Sequence, residues 1–257
     1  MEPASTTLKL CGVDTRLLRA GRGAPLLILQ GANNVEGWLP FYDRLAETHD
    51  VLLPTHPGFA GLPAPDWLER IADLANFHLE LIHALDLADV RLLGLSMGGW
   101  AAAELATRDA SRLAALALVA PSGIYLPGVE PLDVFLRTDE QLFEDLFHDK
   151  ALGARWRDER VTPENEDLRL QSKVTTAKLA WSPRWYDPHL RKWLKRARLP
   201  ATIVWGANDA FLSPEHAQEW SRLIPGAQTK IIDACGHHPS IEQPEALYAA
   251  LATFLNA

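Results

Sequence analysis

Short unbroken apolar runs alternate along the chain with longer stretches in which apolar residues recur every three or four positions. The first pattern suits strands covered on both faces, the second suits helices with one buried stripe, and their alternation predicts an α/β sheet. Residues 8–11 and 15–19, separated by Gly12-Val13-Asp14, read as an antiparallel hairpin. Residues 25–30, 51–54, 90–95, 113–120, 201–206 and 228–233 read as strands, and Pro121 stops the fourth of them. Helical spacing covers 37–48 (Leu39, Phe41, Tyr42, Leu45), 67–85, the small-residue stretch 100–106, 214–223 and 244–255.

Between 122 and 200 the rhythm breaks. The segment has helical patterning without a buried strand and is crowded with aromatic and charged side chains. Residues 121–200 hold 14 basic and 13 acidic side chains, whereas the rest of the chain holds 11 and 20. Such a shift marks an inserted module. The expected organisation is a core in two parts, 1–121 and 200–257, with a helical lid over 122–199.

Composition narrows the function classes. Hydrophobic residues make up 47% of the 257, enough for a full-sized core. A net charge of −8 without a basic stripe offers nothing to nucleic-acid phosphates. No run reaches the ~18–20 apolar residues of a bilayer span, and the first residues lack the pattern of a secretory signal. Two cysteines, Cys11 and Cys235, exclude a disulfide scaffold or a four-thiolate zinc site, and a cytoplasmic location is expected. His78 and His83 are five apart, off a common helical face, so no metal site is expected.

Candidate chemistry concentrates at three strand ends. Gly94-Leu95-Ser96-Met97-Gly98 matches G-x-S-x-G between a predicted strand and helix, where a tight turn exposes the serine hydroxyl at the helix N-terminus. A phosphate-cradling turn is the alternative, but the lysine and glycine spacing of such sites are missing. Serine needs a base oriented by a third group. Asp209 follows the strand 201–206 and His237 follows the last strand, in the order Ser…Asp…His, all at the carboxyl ends of strands. Asp233 and His238 remain alternatives for the acid and the base. Asp209 also has an alternative as a helix cap, a part that Ser213 before Pro214 fills better.

On these residues the chain resembles the α/β-hydrolase superfamily over nearly its whole length outside the lid. Leu29-Gln30-Gly31-Ala32 sits where the family has His-Gly-x, with Gln30 replacing the histidine. Pro54-Thr55-His56-Pro57-Gly58-Phe59-Ala60-Gly61 resembles its Asp-x-Pro-Gly-x-Gly stretch, with Thr55 replacing the aspartate. Gly236-His237-x-Pro239…Glu242-x-Pro244 resembles its closing motif and favours His237 over His238. The resemblance implies a mostly parallel sheet with helices on both faces, and an oxyanion hole from the backbone N–H groups of Ala32 and Met97.

The expected activity is a serine esterase or lactonase that needs no cofactor and takes a small-molecule substrate. The lid aromatics Phe135, Trp156, Trp181 and Trp185 are candidate contacts for an apolar or aromatic portion of it. Related dehalogenases and epoxide hydrolases use an aspartate nucleophile, against Ser96 here. Carbon–carbon hydrolases of aromatic breakdown often carry Asn before the serine, where this chain has Leu95. They form the second expectation, and Gly-Leu-Ser-Met-Gly-Gly also resembles enol-lactonases and cofactor-free haloperoxidases. A non-catalytic receptor on the same scaffold is the alternative from another class. Nothing in the sequence speaks to oligomeric state.

Overall fold

The computed structural model describes residues 2–32 and 37–257. It opens with the hairpin β1 (Ala4–Leu10) and β2 (Val13–Ala20). Leu10 pairs with Val13, so the turn is Cys11-Gly12 rather than the expected 12–14. Both turn residues have positive φ, 49° and 81°. That is the two-residue geometry whose twist matches paired strands, and it leaves Val13 free to enter the ladder.

β3 (Ala24–Leu29), β4 (His49–Pro54), β5 (Val90–Leu95), β6 (Leu113–Val119), β7 (Ala201–Gly206) and β8 (Gln228–Ile232) complete an eight-stranded sheet of order β1-β2-β4-β3-β5-β6-β7-β8. β2 runs antiparallel to β1 and β4, and every later pairing is parallel. The apolar runs split by parity, as a pleated strand requires. Leu27, Leu29, Leu92, Leu116, Leu118 and Ile203 pack on one face against α2 (Ile71–Ala84), α3 (Met97–Arg108) and α8 (Glu215–Leu223). Leu26, Ile28, Leu93, Ala115, Ala117 and Val204 pack on the other against α1 (Pro40–Ala46) and the C-terminal helices.

The closing helix expected over 244–255 is divided into α10 (Pro244–Ala250) and α11 (Ala252–Leu255), with α9 (Pro239–Glu242) just before them. The first helix begins at Pro40, where proline's fixed φ suits the first turn, rather than at 37. The second begins at Ile71 rather than 67, where Asp73 in its first turn reaches back to accept from the N–H groups of Glu69 and Arg70 just before the helix.

From β6 to β7 the described backbone forms the helices α4 (Asp139–Leu146), α5 (Lys150–Arg160), α6 (Glu166–Ala180) and α7 (Leu190–Trp193) with short 3-10 turns, joined by irregular stretches that hold two isolated β-bridges. Long-range bonds seat this segment on the sheet ends. Thr175 Oγ1 donates to the Gly58 carbonyl at 2.8 Å, and the N–H of Leu132 donates to the Phe211 carbonyl at 2.9 Å. No described helix is long and apolar enough to cross a membrane.

Candidate active site

β5 ends at Leu95 and α3 starts at Met97, so Ser96 alone makes the turn, at φ 53° and ψ −117°. Such a backbone is strained for a residue with a Cβ and persists only where the surroundings enforce it. Here they do. A Cβ at Gly94 would come within 2.6 Å of the Gly98 carbonyl and the Gly99 Cα, and one at Gly98 would overlap the carbonyl oxygens of Leu29 and Gln30. The two glycines let β3, β5 and α3 converge beneath the serine.

Asp209 and His237 leave β7 and β8 on loops that are stitched together. Asn208 N–H donates to the Cys235 carbonyl and Ala207 N–H to the Ile232 carbonyl, both at 2.8 Å. Asp209 is 5% exposed and His237 4%. Asp209 Oδ1 accepts from the N–H groups of Phe211 and Leu212, both at 3.0 Å, while Oδ2 lies 2.7 Å from His237 Nδ1. His237 Nε2 lies 2.8 Å from Ser96 Oγ. A carboxylate only accepts, so Nδ1 carries the hydrogen, Nε2 keeps its lone pair, and the serine hydroxyl donates to it. The chain of bonds can carry a proton from Ser96 to an imidazole whose positive form Asp209 stabilises.

The alternatives have no place in this chain of bonds, although His238 lines the same cavity. Asp233 is exposed at the end of β8. The His238 ring packs against Phe147 and His237, and burial, with the neighbouring His237, pushes its pKa down to about 3. Ser213, not Asp209, lies near the start of α8, accepting from Glu215 N–H at 3.4 Å.

A cavity of about 380 Å³ opens over Ser96 and His237. Its floor includes Gly31 and Ala32, and Met97 is the first residue of α3, where a helix N–H has no intrahelical acceptor. Phe135, Trp181 and Trp185 line its roof. Trp156 does not, which corrects its expected place at this cavity. It faces the clefts beside α4 and beside α1 and α9, with the Arg160 guanidinium 3.3 Å above its ring. Its position on α5 points it away from Ser96, a direction that aromatic character alone does not encode.

Sequence reasoning missed the rest of the lining. Leu142, Leu146, Val174 and Ala177 supply aliphatic wall, and Phe211 packs edge-on to His237 at 4.8 Å between ring centres. Phe211 was within reach of sequence reasoning, two residues beyond Asp209. The charged Arg and Lys side chains on the wall are Arg137 and Lys173, and no described carboxylate lines it. Asp145 pairs with Arg137, while Asp139 is shared by Lys173 and Arg169.

Glu242, noted in the sequence only as part of a motif, joins the His237 loop to the helical segment. One oxygen accepts from Gly236 N–H at 2.8 Å, the other from His148 N–H at 2.7 Å and Asp149 N–H at 3.1 Å. Beside it, His237 N–H donates to the Leu146 carbonyl at 2.8 Å. Glu242→Ala strands three donors and is expected to cost on the order of 2–3 kcal/mol. Denaturant unfolding measures this, and an unchanged midpoint counts against the clamp.

Buried histidines set an acid limit on stability. Burial lowers the pKa of His49, His56, His78, His216 and His238, to about 4 for His56 and about 3 for His238. Below the ordinary value of 6.5 the unfolded chain therefore binds more protons than the folded one. Their contribution is complete above that pH and declines as pH falls toward 4. Unfolding midpoints measured from pH 7.5 downward are expected to start dropping near 6.5, before carboxylates titrate. A flat profile to pH 5 contradicts this.

The pattern of the alpha/beta hydrolase family matches residues 26–251. The chain is 26% identical, over 95% of its length and 88% of the relative's, to a 2-hydroxy-6-oxo-6-(2'-aminophenyl)hexa-2,4-dienoic acid hydrolase of Metapseudomonas resinovorans. It is 25% identical to Lipase 3 of Moraxella sp. (strain TA144), over 86% of its length and 73% of that protein. Among solved structures, the enol-lactonase from Burkholderia xenovorans LB400 superposes with a TM-score of 0.78 at 21% identity, covering 98% of this chain and 100% of that one.

Proposed function

Because the chain belongs to the alpha/beta hydrolase family, we propose that it is a serine hydrolase cleaving a carboxylic ester or lactone with an apolar or aromatic portion. The observation that carries this reading is the continuous bond from Asp209 through His237 to Ser96 beneath a largely apolar cavity. Ser96 Oγ attacks the carbonyl carbon while its proton passes to His237 Nε2. The oxyanion forms against the N–H groups of Ala32 and Met97, where each donor is worth about 2.7–4 kcal/mol of barrier. The tetrahedral adduct collapses, the leaving alkoxide takes the proton from His237, and an acyl-enzyme remains. Water, deprotonated by His237, then attacks the acyl carbon, and the free acid and Ser96 are released. No step calls for a cofactor. Residues 1–121 and 200–257 act as the core, and 122–199 as a lid whose Phe135, Trp181 and Trp185 contact the substrate.

Specificity constants over p-nitrophenyl esters of increasing acyl size test the reading. They are expected to rise from acetyl to phenylacyl groups. A preference for the shortest esters opposes the apolar site, and no hydrolysis of any ester, lactone or ring-cleavage product, with affinity retained, favours a receptor.

A second reading has a specific observation in its favour. Arg137 and Lys173 line the cavity, where a substrate carboxylate would share them with Asp145 and Asp139, and the relative from Metapseudomonas resinovorans is named for a dienoic acid. Hydrolysis of a carbon–carbon bond in such a ring-cleavage product uses the same three side chains. Loss of dienoate absorbance at a rate above that of the best ester selects this reading over the first.

A further inference from the structure

The Gln30 carbonyl, where the chain leaves β3 for Gly31 and Ala32, is held on two sides. Gly98 of α3 packs against its oxygen so closely that any side chain there would overlap it. From the opposite element, His56 Nε2 lies 2.9 Å from the same oxygen. His56 stands on the turn after β4, and its Nδ1 lies 2.8 Å from Nε2 of His78 on α2. Both rings have no exposed surface, and His78 Nδ1 is buried without a partner among the described residues.

These contacts permit one arrangement of hydrogens. A carbonyl only accepts, so His56 Nε2 carries the proton and donates. The Nδ1 of that neutral ring is then a lone pair, so His78 Nε2 must donate to it. His78 Nδ1 is left as a lone pair, which agrees with its having no partner. Two neutral imidazoles thus pass a hydrogen bond in one direction, from α2 to the end of β3. Burial keeps both uncharged, since it pushes His56 down to about 4 and His78 well below its ordinary value.

We propose that His78 and His56 are positioning residues that hold the Gln30–Gly31 peptide so that the Ala32 N–H faces the carbonyl oxygen of a substrate on Ser96. The effect on rate rests on the serine-hydrolase reading above. The route is short. A Cβ on Gly31 would sit 3.3 Å from Ser96 Cβ, so a turn of the peptide at residue 30 reaches the nucleophile's neighbourhood within one residue. The Gln30 side chain has a separate part, donating through Nε2 to the Gly37 carbonyl at 2.9 Å. A neutral histidine pair suits the task because it supplies a firm donor without the desolvation cost of a buried charge.

Three variants of the full chain test the proposal. His56→Leu removes the donor to Gln30. His78→Leu removes a ring that already has an unpartnered nitrogen and frees His56 to adopt its other tautomer. His56→Gln keeps an N–H donor. Loss of one oxyanion donor costs about 10²–10³ in kcat, so a displaced donor is expected to cost about 10–100-fold in His56→Leu and less in His78→Leu, with KM little changed and His56→Gln largely restored. Oxygen esters and their thiono analogues separate positioning from general damage. The rate ratio between them is expected to collapse in both leucine variants, because sulfur draws little from the hole. The Ala32 amide resonance reports position without turnover, and it is expected to move in both leucine variants while Met97 stays in place.

An unmoved Ala32 resonance, or equal losses on oxygen and thiono esters, overturns the proposal. If His56→Leu does not fold, His78→Leu carries the same two readouts. If Ala32 moves but the parent protein hydrolyses no acyl substrate, the positioning stands and the hydrolase reading falls.

Discussion

Ser96→Ala is expected to lower kcat for the best ester by about 10⁶-fold, the loss seen when the nucleophile of a concerted serine–histidine–aspartate unit is removed. The fold is expected to survive. The hydroxyl's bond within the site is to His237 Nε2, and alanine tolerates the backbone at φ 53° no worse than serine does. A matched pair of measurements checks both halves, with steady-state turnover beside the denaturant midpoint. Fluorophosphonate labelling adds an independent reading, since the parent protein is expected to be modified at residue 96 and the variant not at all. Activity above a hundredth of the parent level in a well-folded Ser96→Ala protein removes the nucleophile assignment.

Asp209→Asn is expected to cost about 10⁴-fold in kcat, from a single exchange of nitrogen for oxygen. The reason lies in the loop. The N–H groups of Phe211 and Leu212 both point at Oδ1 and require an acceptor there. The asparagine must therefore turn its carbonyl oxygen to them and its NH₂ to His237 Nδ1. An NH₂ donates, so Nδ1 becomes the acceptor, and the ring proton moves to Nε2, where it faces Ser96 and cannot receive another. Binding of a neutral substrate analogue is expected to be unchanged, which places the loss in kcat rather than KM. A drop of less than about tenfold means that the imidazole is oriented by something other than Asp209.

The strands and their order of appearance were legible because each is local. β5 and β7 lie where continuous apolar runs placed them, at 90–95 and 201–206. The run itself encodes burial on both faces of a parallel sheet. The turn at Cys11-Gly12 and the division at Leu251 depend on single backbone angles, which hydrophobic pattern does not register.

At the candidate site the same division holds. Ser96 and Asp209 follow the buried strands β5 and β7, and His237 follows the edge strand β8. Parallel strands of one sheet deliver their carboxyl ends to one edge, so their meeting follows from pattern and order. What helices between β6 and β7 contribute is a matter of how each is rotated and crossed. Trp156 and Trp181 carry the same ring on neighbouring helical segments, yet one fills a cleft under Arg160 and the other lines the cavity.

Polar pairing went the same way. His56 and His78 are 22 residues apart and Glu242 reaches 94 residues back to His148. By itself, then, the sequence determined the α/β architecture and the three side chains at its strand ends, since both come from periodicity and from signals within a few neighbours. Only the tertiary structure decided which aromatics and cations face the cavity and which buried polar atoms meet. Those contacts join elements that a helix rotation of one residue, about 100°, brings together or parts.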